Sequence, residues 1–171
     1  MTAPRRVRTC LDTVAYALDL AVEQADTGHW RWVSVALITA LQAACVAALS
    51  GYPSAEDEDV TVPGDPAQIA SLQTLLRRVA STDYLSDPER LKGQGRAVAD
   101  ALELQAFRNQ ALHVPVDGSP ASYAQVEALI PTAIVILRHL ILDQPAFDPA
   151  PHAQTVSQIE HAIVRLSGGK R

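Results

Sequence analysis

Residues 33–49 (VSVALITALQAACVAAL) constrain the fold more than any other segment, because these 17 consecutive residues carry no charge. Apolar side chains fall on every side of the helix that they would form, which is typical of a helix enclosed by other elements. The stretch is slightly short for a membrane span, and Ser34, Thr39 and Gln42 interrupt it. We therefore expect a central core helix and no membrane contact.

Amphipathic segments on both sides of this stretch predict helices that pack around it. In residues 4–27, Val7, Leu11, Val14 and Leu18 recur at three- and four-residue steps. The hydrophobic share is 48% and the aromatic share only 5%, which favours packed helices over a sheet. Helices are predicted over residues 4–27, 29–50, 66–81, 96–113, a stretch through Pro131 to residue 142, and 152–166. Pro131 predicts either a kink or a helix start near it.

These segments predict an all-α fold, a helical bundle of four long helices plus one or two shorter helices. The 171 residues fit a single domain, 1–171, with a flexible tail at 167–171.

Residues 51–66 (GYPSAEDEDVTVPGDP) predict a long acidic loop. It holds five carboxylates and no Lys or Arg, so it accounts for the whole net charge of −5. That net charge argues against a protein that binds nucleic acid through general electrostatics. The rest of the chain is balanced, so a local basic site stays open.

The two cysteines, Cys10 and Cys45, lie in apolar stretches and are too few for a disulfide framework. No Cys/His spacing indicates zinc, and we expect neither metal nor cofactor. Basic residues near the N-terminus are not followed by the apolar core of a signal peptide. A cytoplasmic location is the expectation.

The stretch FRNQALH, residues 107–113, carries the one group of residues suited to catalysis. Asn109 and His113 are four apart and share a helix face, and the long side chain of Arg108 can reach the same side. A guanidinium can hold a phosphate, and an imidazole can exchange a proton near neutral pH. The amide of Asn109 can orient either group. RNA supplies its own 2′-hydroxyl nucleophile, so this set could serve RNA cleavage.

The segment RNQALH resembles the RNxxxH signature of the HEPN family, with Arg108, Asn109 and His113 at the defining positions. The Trp-rich start of the second helix (HWRWVSVALITALQ) is similar to bacterial members. The resemblance implies a homodimer in which two motifs face one cleft. It also implies a metal-independent endoribonuclease that leaves a 2′,3′-cyclic phosphate. Such proteins act as toxins or defence effectors, which implies an antitoxin or regulatory protein as a partner.

Two other interpretations of the motif remain open. The same cleft could belong to a non-catalytic helical module that binds a nucleotide or a partner protein. Alternatively, the motif could be accidental, with His113 meeting the negative end of the helix dipole and Arg108 paired with Glu103 or Glu127.

Three further features are given structural interpretations. His139 lies in an apolar helix and is expected to be an interior or interface residue. Trp30 and Trp32 could stack on bases, but core or dimer packing is favoured. KGQGR, residues 92–96, lacks the strand and glycine spacing of a phosphate loop and is interpreted as a connector.

Overall fold

The computed structural model describes residues 2–112 and 123–168. Helix makes up 72% of the structure, which confirms the all-α prediction. Within the described residues the helices of eight residues or more are α1 (Ala3–Asp26), α2 (Trp30–Gly51), α3 (Leu72–Val79), α4 (Gly95–Leu112), α5 (Tyr123–Arg138) and α6 (Ala153–Ser167).

Helix α2 lies at the centre and contacts α1, α3, α4 and α5. Side chains on all its sides are buried, among them Leu37, Leu41 and Cys45. By length and composition, α2 and the segment Ala124–Asp143 could each span a bilayer. However, 78% of the most apolar 18-residue stretch of α2 is buried within the fold. That burial is what the sequence predicts for a core helix. Enclosure also raises the pKa of the Cys45 thiol to about 12, because it disfavours the thiolate.

The predicted helix over residues 66–81 is wrong in its first part. Thr61–Val62 (β1) and Asp65–Ile69 (β2) form a small antiparallel hairpin, with Gly64 at φ +81° in the turn between them. All five residues of β2 are exposed, so no alternation of apolar and polar residues indicated a strand. Helix α3 begins only at Leu72, where the Ser71 hydroxyl accepts a hydrogen bond from the Thr74 amide.

Two buried arginines tie the acidic segment to the helices. The Arg6 side chain in α1 is 11% exposed, and its Nη2 lies 2.6 Å from Asp57 Oδ1. Arg78 in α3 donates from Nη1 to the carbonyl oxygens of Asp59 and Thr61, at 3.0 and 3.1 Å. The segment is therefore held from two sides, although its composition predicts only a loop.

Pro131 lies inside α5, which begins eight residues before it, so the proline does not start the helix. The predicted end at residue 142 is close, but the last turn widens into a π-helical turn, His139–Asp143. Single 3₁₀ turns occur at Asp57–Asp59 and Ala150–His152.

A close approach at the end of α2 predicts a cost for any side chain at residue 51. A Cβ on Gly51 would lie 2.5 Å from Phe147 Cβ and 3.1 Å from Phe147 Cα. Gly51→Ala should lower the free energy of unfolding by about 1–3 kcal/mol, as overpacking does. Gly95→Ala is the matched control, since no atom of the described residues lies within 4 Å of the added Cβ. Urea denaturation of both variants tests this, and an unchanged stability for Gly51→Ala would contradict it.

The contact between Arg6 and Asp57 predicts a pH dependence. The hydrogen bond from Arg6, together with its positive charge, holds the pKa of Asp57 below its usual range. A depressed folded-state pKa stabilises the protein above the unfolded value of about 3.9. This stabilisation is lost as the pH falls through the folded value.

Asp57→Asn should therefore lower the Tm at neutral pH, and the difference from wild type should shrink as the pH falls below about 4. Thermal unfolding followed by circular dichroism across this range measures it. Glu58→Gln removes the same charge from an exposed neighbour and should leave the pH profile nearly unchanged. Parallel profiles for Asp57→Asn and wild type would show that the contact does not stabilise the fold.

Candidate functional site

Helix α4 carries Arg108 and Asn109 of the motif and is fixed against α2 by one apolar face. Ala97, Ala101 and Leu104 follow at steps of four and three residues and are 6%, 1% and 0% exposed. A polar contact fixes α4 to α5 as well, since Thr132 Oγ1 donates to Asp100 Oδ2 at 2.9 Å. Residues 97–104 of α4 are therefore fixed by contacts that precede the motif in the sequence.

Arg108 and Asn109 lie near the end of α4. Arg108 lies seven residues, or about two helix turns, beyond Ala101, so it is on the same side of α4 as the buried residues Ala97, Ala101 and Leu104. At this end of the helix that side is less covered, and Arg108 is half-buried. Asn109 lies about 100° further round and is exposed. Arg108 Nη1 donates to Asn109 Oδ1 at 3.1 Å. The two polar groups named by the motif are thus in direct contact at the surface.

His113 falls in residues 113–122, outside the described residues. Its expected place beside Asn109 remains a prediction. The alternative pairing of Arg108 with Glu103 or Glu127 remains a prediction as well. A guanidinium has five N–H donors, so the contact with Asn109 leaves donors for a phosphate.

His139 lies away from the motif within one chain. Its Nε2 is 3.0 Å from the carbonyl oxygen of Glu89, which precedes the start of α4. From that start at Gly95 to Arg108 the helix rises about 20 Å. His139 is half-buried, in keeping with an interior or interface role.

The remaining aromatic and histidine candidates divide between core and surface. Trp30 packs partly against the core, whereas Trp32 is 46% exposed with the Arg31 guanidinium 5.6 Å from its ring centroid. His29 contacts Thr27, and His152 lies edge-on to Phe147. Of the described residues, no group of three or more His, Cys, Asp or Glu side chains could hold a metal ion.

A groove between α3 and the start of α4 was not predicted. It encloses about 680 Å³, and Arg77, Arg90 and Lys92 contribute cations to its lining. These residues come from α3 and from two positions in the connector before α4, so no local spacing could have indicated the group. The first three residues of KGQGR belong to the connector, and Gly95 and Arg96 begin α4. Lys92, Gly93, Gln94 and Gly95 line this groove.

A second groove, of about 570 Å³, lies where α1, α2, α5 and α6 meet. Trp30, Ile130 and Pro131 give it apolar walls, and an ion pair of 2.8 Å between Arg165 and Asp26 lies at its side.

No family model, curated protein or solved structure matches the chain, so comparison with known proteins assigns it to no family.

The placement of the motif predicts that its described residues can be replaced without loss of the fold. Arg108→Ala and Asn109→Ala should each change the free energy of unfolding by about 0.5 kcal/mol or less, as surface substitutions do. Leu104→Ala on the same helix should cost about 2–5 kcal/mol, because Leu104 is fully buried. Chemical denaturation compares the three. A large loss for Arg108→Ala would show a structural role for this residue.

Proposed function

We propose that this protein is a metal-independent endoribonuclease that acts as a homodimer, with Arg108, Asn109 and His113 at its active site. The observation that carries the proposal is the direct contact between Arg108 and Asn109 on the surface of α4, four residues before His113 in the sequence. The all-α architecture agrees with the resemblance to HEPN proteins.

The chemistry assigns each residue a role. The 2′-oxygen attacks the adjacent phosphorus while the bond from phosphorus to the 5′-oxygen breaks. One proton leaves the 2′-hydroxyl and one reaches the departing 5′-oxygen, giving a 2′,3′-cyclic phosphate and a 5′-hydroxyl. His113 acts as the general acid or base, because imidazole titrates near neutral pH. Arg108 stabilises the charge on the phosphate, and Asn109 orients Arg108 through their hydrogen bond.

Two proton transfers in one reaction favour a dimeric site, in which a second copy supplies a second imidazole. The outer side of α5 supports association, since the apolar segment Ala124–Asp143 is only half buried in the single chain. Pro131 and Val135 are exposed on it, with Val135 at 41%. Apolar surface of this kind is typical of a face that another protein covers.

The biological setting follows from the activity. A ribonuclease in the cytoplasm would damage its own host unless a partner restrained it, so we propose an antitoxin or regulatory protein as that partner.

A non-catalytic module that binds a nucleotide or a protein is the second candidate function. The acidic net charge of −5 favours it, because charge repulsion weakens general attraction to RNA.

Cleavage of a mixed RNA pool in EDTA tests the proposal. The wild-type protein should cut and leave cyclic phosphate ends. His113→Ala should lower the rate by about 10²–10⁴-fold, as the loss of a general acid or base does. Arg108→Ala should lower it by about 10²–10³-fold, through lost charge stabilisation.

Matched controls replace the same residue types elsewhere. His161→Ala on α6 and Arg8→Ala on α1 change exposed residues and should leave cleavage intact. If wild type and variants are all folded dimers and none cuts RNA, the binding-module function takes the place of the ribonuclease.

A further inference from the structure

We infer that the groove between α3 and the start of α4 binds the phosphate backbone of single-stranded RNA and leads the strand toward Arg108 and Asn109. The choice of RNA rests on the proposed function. The inference adds a substrate-binding surface that is separate from the motif.

The groove brings cations together from separate segments. Arg77 and Lys92 are exposed, and the half-buried Arg90 lies between them in the sequence. Asp87 forms ion pairs with Arg90 at 2.9 Å and Lys92 at 3.1 Å, so it offsets one of the three charges. Arg77 has no ion pair within the described part of the chain and is available for an anion.

Part of the negative charge of this acidic protein lies in a different segment from the groove. Five of its 19 carboxylates lie in residues 51–66, and Arg6 already binds one of them, Asp57. Among the described residues that line the groove, none is a carboxylate. A positive groove with walls of low dielectric concentrates its field locally, even on a protein with a net charge of −5.

Helix α4 joins the groove to the motif. Val98 and Leu102 line the groove, and Asn109 lies on the same side of the helix, eleven and seven residues further on. The rise from Leu102 to Asn109 is about 10 Å. A strand that follows this face would meet cations first and the motif next.

The lining fits a nucleic-acid strand better than a folded partner. Val98 and Leu102 are half-buried and offer an apolar floor for bases, while the cations stand beside them for phosphates. Single-strand binders combine a cationic path with aromatic side chains on which bases stack. In this groove the aliphatic side chains of Val98 and Leu102 would take the place of the aromatic ones. An acidic peptide would satisfy the charges alone, without using the floor.

Binding of a fluorescent 2′-O-methyl oligonucleotide tests the inference by anisotropy at several salt concentrations. This probe lacks the nucleophile, so the measurement does not depend on cleavage. Arg77→Gln/Lys92→Gln removes two exposed cations, and Arg90 is kept so that Asp87, which pairs with both Arg90 and Lys92, retains one partner. Each lost phosphate contact should lower the slope of log affinity against log salt by about 0.7. We expect a fall of about 1.4 in slope and on the order of tenfold weaker binding near 0.1 M salt.

Arg5→Gln/Arg8→Gln is the control, since it removes two exposed charges from α1, which contacts α2 and α6. Equal weakening by both double variants would overturn the inference, as would undetectable binding by the wild type. Displacement of the oligonucleotide by polyglutamate at equal charge would assign the groove to an acidic peptide instead. If the wild type fails to cut RNA but the groove variant alone weakens binding, the inference stands and only the ribonuclease proposal fails.

Discussion

The enclosure of α2 is the constraint on which the rest of the structure depends. A helix that is apolar on every side loses stability wherever water reaches it, so each flank needs a neighbour. Helices α1, α3, α4 and α5 supply those neighbours, and each contributes an apolar stripe to the common core. At the end of α2 the packing leaves room only for a hydrogen at residue 51, because Phe147 lies against the backbone there.

In this architecture the residues that form the core differ from the residues that could bind or react with a ligand. The packed core contains few polar side chains in the described residues, and the chemically useful groups lie at helix ends and in connectors. Arg108 illustrates the division, since it occupies the line of buried residues on α4 at the point where the line leaves the core. Its stem can pack while its guanidinium meets Asn109 and solvent. Helix α4 thus places Arg108 and Asn109 at the surface while its buried residues pack in the core.

Periodicity was sufficient to predict most of the helices, because a wide apolar stripe at three- and four-residue steps specifies both the helix and its buried face. It failed at β2, whose five residues are all exposed and whose pairing depends on a turn at Gly64. The sequence also predicted that Arg108 and Asn109 lie close together, because they are neighbours within one helix turn. Arg77, Arg90 and Lys92 could not be grouped in this way, since only the packing of α3 beside the connector brings them together.

The net charge of the chain also did not predict the charge of the groove beside α3, because tertiary packing decides which charged residues lie together. A value of −5 describes the whole chain, but a ligand meets the field of one face. Arg6 and Arg78 hold the acidic segment, the first through the Asp57 carboxylate and the second through backbone carbonyls, and so fix where much of the negative charge lies. The groove beside α3 is then free to present positive charge along the side of α4 that also carries Asn109. An acidic protein can therefore offer a polyanion a local binding path, provided that its packing keeps the two kinds of charge apart.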